Sequence, residues 1–182
     1  MMKFVFLAAI LTLVPICAFA TPVSKEQANT YYASCVENAA KTEQRFSKPS
    51  QELFCACTAA KLTESFSIED MQTMTDTTNP NARKALNKMI VNVYAPCMEA
   101  PTQEYHVTQC LSNPQVGRLG GDPAALCQCA AAGIAQHLKD HGGAMFEEIL
   151  SRNPNIEDPM QALYDDPKFR SFAQAKLLKC LK

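Results

Sequence analysis

At 182 residues, the chain sets 17 basic side chains against 18 acidic ones, a formal net charge of −1. That balance gives no electrostatic basis for gripping nucleic acid or lying on an anionic membrane surface. Nine cysteines in so short a chain point instead to disulfides and an oxidising compartment.

Met1-Met2-Lys3 is a short positive segment, and Phe4 to Ile16 is an apolar run broken only by Thr12 and Pro15. Ala18-Phe19-Ala20 then places small residues where a signal peptidase requires them. The run is shorter than the ~20 residues of a membrane helix. Residues 1–20 therefore read as a signal peptide cleaved at about Ala20, with no membrane span after cleavage. Ile16 is too bulky for Cys17 to be a lipidation site. Cleavage removes Cys17 and Lys3, leaving eight cysteines and 16 basic against 18 acidic groups, a net charge of −2. An even cysteine count suits complete pairing. No Asn-x-Ser/Thr sequon occurs, which favours a bacterial periplasmic or secreted protein over a glycosylated one.

Ser24-Lys25-Glu26-Gln27 is a capping box that opens a helix through Cys35 to about Gln44. Pro49-Ser50 opens a second helix, carrying Cys55 and Cys57, and Ser67-Ile68-Glu69-Asp70 caps a short third. Asn79-Pro80 sets an N-cap residue before a first-turn proline, and that helix runs to about Cys97. Thr102 starts a helix through Cys110. Asp122-Pro123 starts the helix of Cys127 and Cys129, which Gly142-Gly143 ends. Ala144 to Leu150 forms a short helix, Asp158-Pro159 to Tyr164 an inserted one, and Asp166-Pro167 opens the last. Period-two runs of Val, Ile and Thr are absent, so the fold class is all-α.

The cysteines fall into two quartets of the same form: Cys35, Cys55-Ala56-Cys57, Cys97 and Cys110, Cys127-Gln128-Cys129, Cys180. Their gaps are 20, 2 and 40 residues in the first and 17, 2 and 51 in the second. Phe54-Cys-Ala-Cys-Thr-Ala-Ala matches Leu126-Cys-Gln-Cys-Ala-Ala-Ala, and Pro80-x-x-Arg83 matches Pro167-x-x-Arg170. The chain thus reads as a tandem repeat of two disulfide-stapled four-helix modules, 21–100 and 101–182, the second with an extra short helix.

Cysteines two apart on a helix point about 200° from each other, so neither C-x-C pair closes on itself. Two pairings per quartet remain. On the view that Cys57 is level with Cys35 in an antiparallel hairpin, the expected bridges are Cys35–Cys57, Cys55–Cys97, Cys110–Cys129 and Cys127–Cys180.

Tandem cysteine-linked helical units resemble saposins in architecture, and a C-x-C within an eight-cysteine helical chain resembles plant lipid-transfer proteins. The six-cysteine pattern of the former and the adjacent Cys-Cys pair of the latter are missing here. The likeness implies no site residues.

Candidate chemistry is sparse. His137 and His141 have the i, i+4 spacing of a helical metal site, with Glu147 and Glu148 as further ligands, but Leu138 stands where a metalloprotease carries glutamate. His106 has only Glu104 as a nearby acid and no nucleophile. Met71, Met74, Met89 and Met98 recur at helical spacing, which suits core packing better than a copper array. No catalytic residue, metal or cofactor is assigned. The expected function is a non-catalytic exported module that binds another protein. Its partner surface would lie in the divergent segment 141–166, near Arg152, Asn155 and Tyr164. The alternative is a carrier of a lipid or small apolar ligand, with Phe46, Phe54, Phe66, Leu86, Phe146, Phe169 and Phe172 lining a cavity. A metal-dependent enzyme or metal carrier built on His137 and His141 ranks third.

Overall fold

The computed structural model describes residues 20–119 and 121–181. The expected signal peptide, but for Ala20, lies outside the described residues. Eight α-helices follow in order: α1 (Lys25–Thr42), α2 (Lys48–Ser65), α3 (Ile68–Thr75), α4 (Ala82–Met89), α5 (Glu99–Ser112), α6 (Pro123–Arg152), α7 (Pro159–Asp165) and α8 (Pro167–Cys180). A π-helical turn, Ile90–Tyr94, and a 3-10 turn, Ala95–Cys97, lead from α4 to α5. Among the described residues no strand forms, and Pro22 and Ser67 make one isolated bridge.

Local chemistry accounts for most helix starts. The Ser24 hydroxyl accepts the Gln27 amide while the Gln27 side chain accepts the Ser24 amide. Ser67 and Asp70 repeat that exchange at α3. Asp122, Asp158 and Asp166 each cap a helix with proline in its first turn. Each cap satisfies amides that have no partner inside the helix and contributes about 1 kcal/mol.

One start differs from the sequence expectation. Asn79 and Pro80 form a turn, and α4 begins two residues later with Asn81 before it. The Asn79 side chain instead accepts the Asn81 amide, so it closes the turn rather than capping the helix. The helix expected from Thr102 likewise begins earlier, at Glu99, and Pro101 and Thr102 lie buried inside α5.

The main core crosses the middle of the chain. Phe46, Ile90, Ala95 and Met98 pack with Ile134, Leu138, Phe146, Leu163 and Phe169 from beyond residue 101. Smaller clusters lie at either end: Val23, Leu62, Phe66, Met89 and Val93 in one, Val116, Leu126 and Cys127 in the other.

Helix α6 runs unbroken for 30 residues, where a stop at Gly142-Gly143 and a separate helix over Ala144 to Leu150 were expected. Two facts explain the difference. The buried stripe Ile134, Leu138, Gly142, Phe146, Ile149 keeps helical period through both glycines. A Cβ on Gly142 would stand 3.1 Å from the Ala95 carbonyl oxygen and 3.2 Å from a Leu138 methyl. The glycine therefore serves close approach of α6 to the Ala95–Cys97 turn, not helix termination.

All eight cysteines among the described residues are bridged: Cys35–Cys55, Cys57–Cys97, Cys110–Cys127 and Cys129–Cys180. This corrects the expected pairing of Cys35 with Cys57, Cys55 with Cys97, Cys110 with Cys129 and Cys127 with Cys180. Helices α1 and α2 are antiparallel about a turn near Arg45, and Cys35 and Cys55 lie ten residues on either side of it. Cys110 and Cys127 are similarly symmetric about the link between α5 and α6. The first cysteine of each C-x-C is thus level with the preceding helix. The second, about 200° around the axis, faces away and takes the last cysteine of its quartet. No bridge closes within a C-x-C, and none joins the two quartets.

A candidate binding groove

A cleft of about 590 Å³ opens beside α1 and α2. Helix α1 forms one wall through Tyr31, Cys35, Ala39 and Thr42, and α3 forms another through Met71, Met74 and Thr75. Gln51 and Phe54 of α2, with Phe46, Tyr94 and Met98, lie between them, and Asp158, Pro159 and Met160 close one end from the start of α7. The volume falls within the ~300–1,000 Å³ range of small-molecule sites.

Local sequence explains this opening. Ser67 and Asp70 cap α3 immediately after α2 ends at Ser65, so the chain turns there and Met71 and Met74 reach the cleft. The π turn accommodates an extra residue, which moves the following side chains by about 100° around the axis. Tyr94, its last residue, lines the cleft and meets Phe54 at 5.6 Å between ring centroids. Burial, then the neighbouring Tyr31 hydroxyl, raises the Tyr94 phenol's pKa well above its ordinary value. Four of the six methionines beyond residue 20 — Met71, Met74, Met98 and Met160 — line the cleft. Flexible thioethers suit an adaptable apolar surface.

Charge is confined to one end. The Arg45 guanidinium holds both Glu43 carboxylate oxygens, at 2.8 and 2.5 Å, and reaches Asp158 at 3.1 Å. The hydrogen bond from Arg45 lowers the Glu43 pKa, against the opposing effect of burial. Gln51 braces this end by donating to the backbone carbonyls of Glu43 and Phe46. The described charged residues lining the cleft are Glu43, Arg45 and Asp158.

The residues expected to meet a partner are placed differently from one another. Arg152 is exposed, and its guanidinium pairs with Asp166, the cap of α8. Burial raises the Asp166 pKa, but Arg152 and the Phe169 and Lys168 amides outweigh it and hold it below the ordinary value. Asn155 is exposed in a turn where Asn153 accepts its amide. Tyr164 is turned inward, stacked on Tyr105 at 4.1 Å, because its ring completes the packing between α5 and α7. Its hydroxyl, Thr102 Oγ1 and His106 Nε2 are buried without a hydrogen-bond partner. The divergent segment does reach the cleft, but through Asp158, Pro159 and Met160. Arg83 and Asn87 of α4 anchor it by donating to the Ile156 and Pro154 carbonyls.

Of the aromatic and leucine residues offered as cavity lining, Phe46 and Phe54 line the cleft. Phe66, Phe146 and Phe169 are core, and Leu86 and Phe172 pack against it. His137 and His141 are neighbours on α6, 4.6 Å between centroids, and His137 stacks on Phe172 at 4.0 Å. Burial, His141 and Lys176 all lower the His137 pKa. Among the described residues no three His, Cys, Asp or Glu side chains gather as a metal would need. His106 is half-buried, and loss of solvent around its ring pushes its pKa down to about 4.

The cleft gives little sign of itself in the sequence. Its aromatic and methionine residues have the same spacing as core residues, and the distinction between lining and filling depends on whether α3 folds away. No family model, curated protein or solved structure matches the chain.

Proposed function

We propose that the protein is an exported, non-catalytic helical module that binds a small apolar ligand in the cleft between α1, α2, α3 and α7. The observation that carries this reading is a cleft of about 590 Å³ lined by Phe46, Phe54, Tyr94 and four methionines. Cys35–Cys55 ties the α1 wall to α2, and Cys57–Cys97 ties α2 to the turn before Met98, which limits the entropy lost on binding. Export suits the complete pairing of eight cysteines, and among the described residues no helix is long and apolar enough to cross a membrane. A tandem origin of the two halves accompanies this reading, supported by bridges that run in the same order in each quartet.

Single-chain amphiphiles should displace an environment-sensitive apolar dye from the protein, and Ala39→Phe, which fills the cleft from α1, should weaken the dye at least about tenfold. Equal dye binding by the variant would remove the cleft from the account.

Docking of another protein is the second reading. Leu111, Leu119, Leu178 and Leu181 are exposed at the end where Cys110–Cys127 and Cys129–Cys180 join α5, α6 and α8. Native mass spectrometry of protein purified from its own source reads both. A bound amphiphile supports the cleft. A bound chain that Leu178→Asp releases supports docking.

A further inference from the structure

We infer that the cleft selects its ligand by charge, taking a single apolar chain with a cationic head and disfavouring one with an anionic head. The inference rests on the cleft reading above and concerns what enters it. Three charged side chains line the cleft, Glu43, Arg45 and Asp158. Arg45 is the sole cation among these described lining residues, and both carboxylates already hold it, Glu43 through two oxygens and Asp158 at 3.1 Å. The cluster therefore carries one excess negative charge. A fatty-acid carboxylate entering there would have to displace one of two carboxylates from Arg45 and would meet the other as a like charge.

Aromatic faces point the same way. Tyr31, Phe46, Phe54 and Tyr94 all line the cleft. Arg45 lies 5.7 Å from the Phe46 ring centroid, so that aromatic face already receives a cation at this end. Aromatic rings attract an alkylammonium through their quadrupole, and a quaternary head needs no hydrogen-bond acceptor. The methionine-lined remainder offers the chain an apolar, adaptable wall. The neighbouring charges do not reverse the balance: Glu104 is held by the Ser47 amide and hydroxyl, and Lys41 is paired with Glu37.

The test uses the oxidised full-length mature protein and three probes of equal chain length below their micelle concentrations: dodecyltrimethylammonium, dodecanol and dodecanoate. At low salt and neutral pH the expected order of affinity is cation, neutral, anion, with about tenfold or more between the two extremes. The Glu43→Gln/Asp158→Asn double variant leaves Arg45 uncompensated and should reverse that order. Arg45→Gln removes the cation and should widen it. The two variants shift charge in opposite directions, so misfolding of one leaves the other to decide. If no probe binds, the cleft reading fails. If dodecanoate equals or exceeds dodecyltrimethylammonium, the charge inference fails while the cleft stands.

Discussion

The two halves of the chain place the same cysteine frame to different ends. In the first half the C-x-C helix stops at Ser65, and a capping box folds α3 away from it. In the second half the C-x-C helix continues to Arg152, and Phe146, Ile149 and Leu150 enter the core on its far stretch. The cleft therefore opens beside the first C-x-C helix, while the far stretch of the second fills the core that both halves share. A bridge pattern can fix which helices lie together without fixing whether a cavity forms between them. That is decided by where one helix ends.

One of the two largest expected effects tests the shared frame. Replacing Cys129 and Cys180 together by alanine removes a bridge that spans 51 residues, and the loop-closure relation gives a loss of about 4 kcal/mol. The Cys110–Cys127 bridge spans 17 and should cost about 3 kcal/mol. Denaturant unfolding under non-reducing conditions measures both. Non-reducing peptide mapping should recover the four bridges described, and a Cys35–Cys57 peptide would overturn the level argument.

Next comes the contrast between filling and lining. Phe146 is fully buried, so Phe146→Ala should lose about 3–5 kcal/mol. Phe54 lines the cleft and is half-buried, so Phe54→Ala should lose no more than about 2 kcal/mol while weakening the apolar dye. Equal destabilisation by the two would mean that the cleft belongs to the core.

The smallest effect separates two neighbouring glycines on α6. Gly142→Val places carbon against the Ala95 carbonyl and should destabilise by about 2 kcal/mol. A Cβ on Gly143 meets its nearest atom, the Val91 carbonyl oxygen, at 3.4 Å. Gly143→Ala should therefore be neutral or stabilise by up to about 1 kcal/mol, since alanine favours the helix. Thermal melts of the two variants should move in opposite directions, or the second not at all.

Acid lability in particular places follows from the caps. Asp166 and Asp70 are held below their ordinary values, each by a basic partner and hydrogen bonds that outweigh burial. A lowered folded pKa means that their contributions are present above the ordinary carboxylate range and are lost as pH falls through the folded value.

What could be read from the residues alone is local. Ser24, Ser67, Asp122, Asp158 and Asp166 carry the capping chemistry for five helices within a few residues of each start. The two-residue spacing of each C-x-C excluded closure on itself, because helical geometry alone sets the angle between the two cysteines. Tertiary structure decided everything that depends on relative position. Whether Cys55 or Cys57 meets Cys35 turns on where α1 and α2 reverse. Whether Gly142 ends a helix or admits a neighbour turns on the Ala95 carbonyl lying against it. Tyr164 looked like a surface residue and is packed on Tyr105, while Met71 and Met74 had the spacing of core residues and line a cleft. Apolar periodicity records which face of a helix is turned inward. It does not record whether another helix is there to meet it, because that contact joins residues far apart in the chain.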